Sequence, residues 1–272
     1  MPDDIHTGLY PPLLKHWRTK RGLSQLDLAI AADVSSRLVS FLETGRSSPS
    51  AAMVLRLAAA LDVSLRHANA MLRAAGHDPA YPEPRPGDGL PDQVAHALDL
   101  MKSHHEPFPL VVINRTYDVV DLNQGALGLF GAVMPNVAKA GLEGLNLARM
   151  SFDPKGAHGA LVNFDEVGRL LLWRIQREVL ADPDDAGLRG LLDALLAMPT
   201  VSADWRDADL TEPASPALIV HLRAGAIDLR FVTLITAFQA PQAVLLDELR
   251  IETWFPADDT TADVCRALSA GA

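Results

Sequence analysis

The sequence contains very little cysteine and has no long apolar segment. Cys265 is the only cysteine among 272 residues, which excludes an internal disulfide and any metal site built from several cysteines. No stretch approaches the roughly 20 apolar residues that a membrane-spanning helix needs. The start of the chain, Met1-Pro2-Asp3-Asp4, lacks the basic and apolar regions of a secretion signal. We therefore expect a cytoplasmic protein without a membrane partner.

Positive charge is also scarce. The chain has 24 Lys and Arg against 34 Asp and Glu, a formal net charge of −10. The deficit is uneven, because residues 1–80 carry nine basic and seven acidic side chains and the remainder carries fifteen and twenty-seven. An acidic second half weakens non-specific attraction to phosphates. Any binding to nucleic acid should therefore depend on a few specific contacts within the first 80 residues.

The sequence motifs of common catalytic and metal sites are absent. His104-His105-Glu106 runs directly into Pro107 and lacks the spacing of a helical zinc site. No serine lies in a nucleophile elbow, and Gly141-Leu142-Glu143-Gly144 lacks the third glycine and the preceding strand of a dinucleotide site. We expect no catalytic residue, no metal site and no resident cofactor.

A helix-turn-helix pattern is present between residues 24 and 46. Ser24 is placed to cap one short helix and Ser35 to cap a second, with the small turn Ala32-Asp33-Val34 between them. Gly45 stands where the second helix would end through a left-handed residue. One apolar face of that helix is formed by Leu38, Val39 and Leu42. The pattern predicts a DNA-binding unit whose second helix enters the major groove.

The outward side of the second helix supplies the candidate base contacts. Arg37 is the strongest candidate, because its guanidinium can bond to O6 and N7 of one guanine together. Phe41 is suited to pack on a thymine methyl group, and burial in the core is the alternative. Gln25 and Arg46 are placed either to touch phosphates or to remain ordinary surface. The predicted DNA-contacting residues are Gln25, Ser35, Ser36, Arg37, Ser40, Phe41 and Arg46.

These residues and their surroundings resemble the lambda-repressor-like, Cro/C1 (Xre) family of DNA-binding domains. Leu13, Leu14, Trp17 and Arg21 match the family's first helix, and residues 45–50 resemble its loop before a fourth helix. A fifth helix is expected over residues 64–75. The resemblance covers about residues 9–76 and implies an all-α, five-helix domain over residues 1–76. It also implies a homodimer on a double-stranded, pseudo-palindromic operator.

A proline-rich stretch separates this domain from the rest of the chain. Five prolines fall within residues 79–91, which no helix or central strand tolerates, so residues 77–92 are predicted to be a linker. Five strands around a helical insertion then predict an α+β domain over residues 93–272, with an antiparallel sheet covered on one face by helices. The predicted helices cover about 93–101, 124–130, 165–180 and 186–197, and the predicted strands lie within 110–122, 217–222, 227–237 and 243–255.

The second domain resembles PAS-type sensor domains at its opening. Residues 112–122 form a predicted strand–turn–strand that leads through Asn123 into a helix. Residues 146–154, 163–167 and 249–259 resemble, more narrowly, the MmyB-like ligand-binding domain that follows Xre domains. The resemblance implies a ligand-responsive transcription regulator. It further suggests a small, largely apolar, fatty-acid-like effector held between the sheet and the helices.

Two interpretations of the second domain remain open. If it is a sensor, Phe152, Trp173, Phe231, Leu234 and Phe238 are candidates for the pocket wall, with Asn146 or Arg149 as partner of a carboxylate head, and ordinary core packing is the alternative for each. If it is only a dimerisation or protein-docking module, it needs no small-molecule effector. An internal cavity would favour the sensor, whereas a closed core with an exposed apolar patch would favour the docking module.

Overall fold

The computed structural model describes residues 9–83, 90–134, 144–206, 218–238 and 243–270. The chain divides into two compact units. The first comprises residues 1–89 and 239–247, and the second comprises residues 90–238 and 248–272. The backbone therefore passes between the units at three places, of which the proline-rich stretch contains one.

Over its described residues 9–83, the first unit contains five helices in series. Four of them begin at a serine whose side chain accepts a hydrogen bond from the backbone amide three residues later; these serines are Ser24, Ser35, Ser50 and Ser64. The caps fix where each helix starts, and the predicted five-helix order is confirmed. The helices are α1 (Tyr10–Lys20), α2 (Gln25–Ala31), α3 (Ser36–Glu43), α4 (Ala51–Ala60) and α5 (Leu65–Ala74).

An ion pair between Arg18 and Glu43 links the first three helices. Arg18 of α1 donates to Glu43 at the end of α3, with 3.0 Å between Nη2 and Oε2, and its Nη1 donates to the carbonyl of Leu23 at 2.7 Å. Gln25 of α2 also donates to Glu43, at 2.7 Å. Burial tends to raise the pKa of Glu43, but hydrogen bonds from Arg18 and Gln25 outweigh it and lower that pKa. The charged Glu43 therefore holds α1, α2 and α3 together.

The second unit is built on a five-stranded antiparallel sheet in the order β2-β1-β5-β4-β3. The strands are β1 (Leu110–Ile113), β2 (Val119–Leu122), β3 (Leu218–Ala224), β4 (Ile227–Ala237) and β5 (Arg250–Pro256). The accompanying helices are α6 (Asp92–His105), α7 (Gln124–Val133), α8 (Leu147–Phe152), α9 (Phe164–Ala181), α10 (Ala186–Leu196) and α12 (Asp259–Ala270). The predicted α+β class is confirmed. Among the described residues no helix has the length and apolar character to cross a membrane.

The segment 243–255 differs from its prediction as one long strand. Its first part is a short helix, α11 (Val244–Glu248), and only Arg250–Pro256 forms a strand. Val244, Leu245 and Leu246 are consecutive apolar residues followed by two acids, so the period-two alternation of a half-buried strand is missing there. Helix α12 was not predicted, although Asp258 caps it by accepting a hydrogen bond from the amide of Thr261 at 2.7 Å.

The cross-strand register defines two faces of the sheet. Paired residues share a face, and the pairs Val111↔Glu252, Thr233↔Trp254 and Leu218↔Thr233 place these side chains together. We call this the inner face, because its apolar residues share one core with those of α7, α8 and α9. Leu234 follows Thr233 and points to the opposite, outer face, where 39% of it is exposed.

A buried asparagine joins the first strand to the following helix. Asn123 Oδ1 accepts hydrogen bonds from the amides of Leu110 and Ala126, both at 2.9 Å, and its Nδ2 donates to the carbonyl of Phe108 at 2.8 Å. Gly125 allows the close approach that this needs, since a Cβ there would lie 2.4 Å from the carbonyl oxygen of Pro107. The start of α7 is thereby fixed beneath the sheet.

Candidate functional site

The outward side of α3 presents the predicted base-reading residues. Val39 and Leu42 are fully buried, whereas Ser36 and Arg37 are exposed and Ser40 is partly exposed. Ser35 caps the helix, and Asp33 in the preceding turn adopts a left-handed backbone with φ of 50°. The local sequence thus gives α3 one face in the core and one face free for a DNA groove.

Phe41 lies between two arginines on this surface. The guanidinium of Arg37 lies 5.1 Å from the centre of its ring and that of Arg46 lies 6.0 Å away. Phe41 itself is only partly buried, so neither core burial nor full exposure describes it. The aromatic ring can hold both cations by cation–π attraction. Gln25, in contrast, uses its amide nitrogen on Glu43 within the unit.

A cavity lies in the second unit between the inner face of the sheet and helices α7, α8 and α9. Its volume is about 60 Å³. Leucine, valine, methionine and aromatic side chains form most of its wall. The polar groups that also line it are Tyr117, Ser151, Arg174, Thr233 and Glu252. The cavity is therefore an apolar space with a small number of polar anchors, as ligand sites commonly are.

An arginine and a glutamate line the same cavity. Arg174 comes from α9 and Glu252 from β5. Burial raises the pKa of Glu252, although the charge of Arg174 and a hydrogen bond from Trp254 act in the other direction. Trp254 Nε1 donates to Glu252 Oε1 at 3.0 Å. Glu252 can accordingly take up a proton more readily than an exposed glutamate.

Tyr117 closes the cavity next to these charges. It is fully buried and has a φ of 66°, an unfavourable conformation for a bulky residue. Burial and the charge of Glu178 raise its pKa. Glu178 accepts hydrogen bonds from Tyr117 Oη at 3.4 Å and from Arg250 Nη1 at 2.8 Å, while Arg250 lies 5.5 Å from the Tyr117 ring centre. The ion pair of Arg250 with Glu178 therefore joins β5 to α9 next to Tyr117, a residue of the cavity wall.

Comparison with known families identifies both halves of the chain. Residues 94–268 match the MmyB-like transcription regulator ligand binding domain, and this match covers more than half of the sequence. The chain belongs to this family. Residues 14–67 match the helix-turn-helix family. No curated protein matches the chain. The predicted combination of a helix-turn-helix DNA-binding domain with an MmyB-like ligand-binding domain is thus confirmed.

None of the seven residues predicted to bind ligand lines the cavity of the MmyB-like domain. Asn146 caps α8 and donates to the carbonyl of Thr116 at 2.7 Å and to Asp118 Oδ1 at 2.8 Å, and Arg149 is exposed. Asn146 is thus fully occupied in joining α8 to the turn between β1 and β2. The arginine that lines the cavity is Arg174.

The predicted apolar residues lie beside the cavity of the MmyB-like domain rather than in its wall. Phe152 and Phe231 are completely buried, Leu234 is on the outer face, and Phe238 follows the last residue of β4. Trp173 packs under Arg169, whose guanidinium lies 5.1 Å from its ring centre. A position one residue away from a lining residue points to the other face of a strand, or about 100° around a helix. A predicted residue next to a lining residue therefore does not face the cavity.

Several of the residues that line the cavity are close neighbours of the predicted ones. Ser151 precedes Phe152, Arg174 follows Trp173, and Thr233 lies between Phe231 and Leu234. The sequence held one usable signal, namely a charged residue at a core-facing position of a strand. Glu252 is such a residue, because the alternation of β5 places it on the inner face with Trp254.

Proposed function

We propose that this protein is a cytoplasmic, homodimeric transcription regulator whose MmyB-like domain binds a small, fatty-acid-like ligand and whose helix-turn-helix domain binds a pseudo-palindromic operator. The observation that carries the ligand assignment is the apolar cavity with Arg174 and Glu252 at its polar part. A docking module without an effector has no need of such a space. The sensor is therefore preferred over the docking module.

The chemistry of the wall matches an acyl chain with an acidic head. The aliphatic and aromatic side chains suit the chain, and the guanidinium of Arg174 suits a carboxylate. Glu252, in its protonated form, adds a hydrogen-bond donor to the same carboxylate, and burial favours that form by raising its pKa. A plain hydrocarbon has no group that could accept a hydrogen bond from Arg174, which also lines the cavity.

The size of the cavity implies that the ligand enlarges it. About 60 Å³ is less than the roughly 300–1,000 Å³ of drug-sized sites. Met134 and Met150 are part of the wall, and the unbranched methionine side chain adapts easily to a new neighbour. We infer that an acyl chain displaces these side chains when it enters.

The proposed dimer is supported by the geometry with which helix-turn-helix domains bind DNA. One recognition helix covers a single half-site, and a pseudo-palindrome requires two copies related by twofold symmetry. The outer face of the sheet offers apolar surface suited to contact with another protein. Ile219, Val232 and Phe255 are in register across three strands there, with 53% of Ile219 and 41% of Phe255 exposed. This face is also the observation that favours the docking module.

Native mass spectrometry of the purified protein, followed by organic extraction, is the first test. A bound acid with an apolar chain is the expected finding. Dodecanoic acid is then titrated against the tryptophan fluorescence, since Trp254 lines the cavity. Arg174→Met should weaken its binding about tenfold, because a charge-assisted hydrogen bond is lost.

Arg149→Met serves as the matched control, because Arg149 is exposed and lies on α8 outside the cavity wall. It should bind dodecanoic acid like the wild type. The ligand assignment fails if no small molecule is extracted and dodecanoic acid leaves the fluorescence unchanged. The assignment to Arg174 fails if Arg149→Met is the weaker binder of the two variants.

A further inference from the structure

The connection between β4 and β5 belongs to the helix-turn-helix unit. Both strands lie in the sheet of the second unit, yet residues 239–247 group with the first. Helix α11, over Val244–Glu248, occupies most of the described part of this connection. A loop between two sheet strands has therefore become part of the DNA-binding unit.

Two hydrogen bonds and one buried side chain fix α11 within the first unit. The amide of Val244 donates to the carbonyl of Pro82 at 3.0 Å, and the Val244 side chain is completely buried. The amide of Leu65 donates to Asp247 Oδ2 at 3.1 Å. Leu65 is the first residue of α5, where backbone amides lack helical partners and a carboxylate is favoured by the helix dipole. Helix α11 thus carries a second cap for α5.

The other end of α11 leads at once to the cavity. Leu249 alone separates it from β5, and Leu249 is fully buried. Arg250 then forms the ion pair with Glu178, and Glu252 lines the cavity. Because only one buried residue separates α11 from β5, we expect a displacement of β5 to move α11 as well.

We propose that α11 transmits the state of the cavity to the DNA-binding unit. A ligand that enlarges the cavity presses on Glu252 and displaces β5, which draws Asp247 and Val244 away from α5 and Pro82. The helix-turn-helix unit then loses its contacts with α11, and its affinity for DNA changes. This inference concerns the regulation of the site under Proposed function and rests on that function.

The attachment is tested first without ligand, by hydrogen exchange of the full-length protein. Asp247→Lys places a cation at the start of α5 and should raise exchange at least about threefold in peptides covering residues 62–68 and 243–249. Asp247→Asn keeps an acceptor oxygen and should remain close to wild type. Asp78→Ala, which removes an exposed carboxylate from the same unit, is the matched control. Unchanged exchange of residues 62–68 in Asp247→Lys overturns the attachment.

The coupling is tested next, again by exchange. Val133→Phe adds bulk to the cavity wall from α7 and takes the place of a ligand. It should raise exchange of residues 243–249 at least about threefold. An unchanged value in a folded Val133→Phe protein overturns the inference whether or not any ligand is known.

Binding to DNA provides the final readout. A duplex is selected from a random pool by the wild-type protein, and its affinity is measured with and without dodecanoic acid. We expect a change of at least about fivefold in wild type and Asp78→Ala, and less than about twofold in Asp247→Lys. A full response in Asp247→Lys overturns the inference. Failure of dodecanoic acid to bind the wild type counts against the proposed function instead, and the Val133→Phe result then decides the inference.

Discussion

At the scale of single residues, Phe41 is the part of the DNA-binding surface with the most specific geometry. Its ring has one guanidinium at 5.1 Å and another at 6.0 Å, from Arg37 and Arg46. Arginine side chains have many rotamers, and a shared aromatic support limits them before DNA arrives. We propose that Phe41 positions the two cations for DNA.

Phe41→Leu should therefore weaken operator binding about tenfold, because two exposed cation–π contacts of about 0.5–1 kcal/mol each are lost. Phe41→Tyr keeps the aromatic face and should bind nearly as well as the wild type. Fluorescence anisotropy on a selected operator measures both affinities. Equal affinity of the leucine and tyrosine variants would show that the ring plays no part in holding the arginines.

Glu252 makes stability depend on pH. Burial raises its pKa, so the folded protein holds the Glu252 proton more tightly than the unfolded chain does. The stability contributed by this group is complete below the ordinary glutamate pKa of about 4.3 and is lost as the pH rises through the raised value. Glu252→Gln has no proton to lose, so it should not lose stability as the pH rises. Its side-chain oxygen can still accept the hydrogen bond from Trp254.

At pH 7, Glu252→Gln should unfold at a higher temperature than the wild type, because the wild-type glutamate loses the stability of its buried proton there and glutamine does not. The difference should disappear below about pH 4, where the wild-type glutamate is protonated in both states. Thermal denaturation followed by circular dichroism at the two pH values measures it. An equal difference at both values would point to packing rather than ionisation.

At the scale of elements, one buried asparagine determines how β1 meets α7. Asn123 satisfies two backbone amides and one carbonyl, from the segment of Phe108 and Leu110 and from the start of α7. Asn123→Ala would leave buried polar groups without partners and should cost about 2–4 kcal/mol of unfolding free energy. Ser50→Ala, which removes an exposed helix cap, should cost only about 1 kcal/mol. Urea denaturation compares them, and equal costs would contradict the linking role of Asn123.

The elements that the sequence predicted well are those specified by nearby residues. Serine caps mark the starts of α2 to α5, and the hairpin of β1 and β2 follows from its own turn. The contact of α11 with the first unit was not predicted, because the hydrogen bond from the Val244 amide joins it to Pro82, more than 160 positions earlier. Six of the seven predicted ligand residues miss the cavity wall by one or two positions and Phe238 misses it by five. A shift of one position in a strand turns a side chain from the cavity to the opposite face.

At the scale of the whole molecule, charge is separated along the chain. The first 80 residues have a small excess of basic side chains, and the rest of the chain carries the acidic excess. An acidic excess weakens attraction to random DNA, so we expect occupancy to rest on specific contacts, made twice if the protein binds as the proposed dimer.

Hydroxyl-radical footprinting should accordingly show two protected segments on a selected operator. We expect their centres to lie about 34–36 Å apart, or a multiple of this, because the two recognition helices enter successive major grooves on one side of the duplex. Sedimentation of the complex should give two protein chains for each duplex. A single protected segment with one bound chain would contradict the dimer.

The three crossings of the backbone between the two units also bear on evolution. In a regulator made of two independent modules, any DNA-binding head can be recombined with any sensor at the linker. In this protein such an exchange would separate Val244 and Asp247 from Pro82 and Leu65. We expect viable chimaeras to carry the β4–β5 connection together with the head, so that the heritable unit of DNA recognition is discontinuous in the gene.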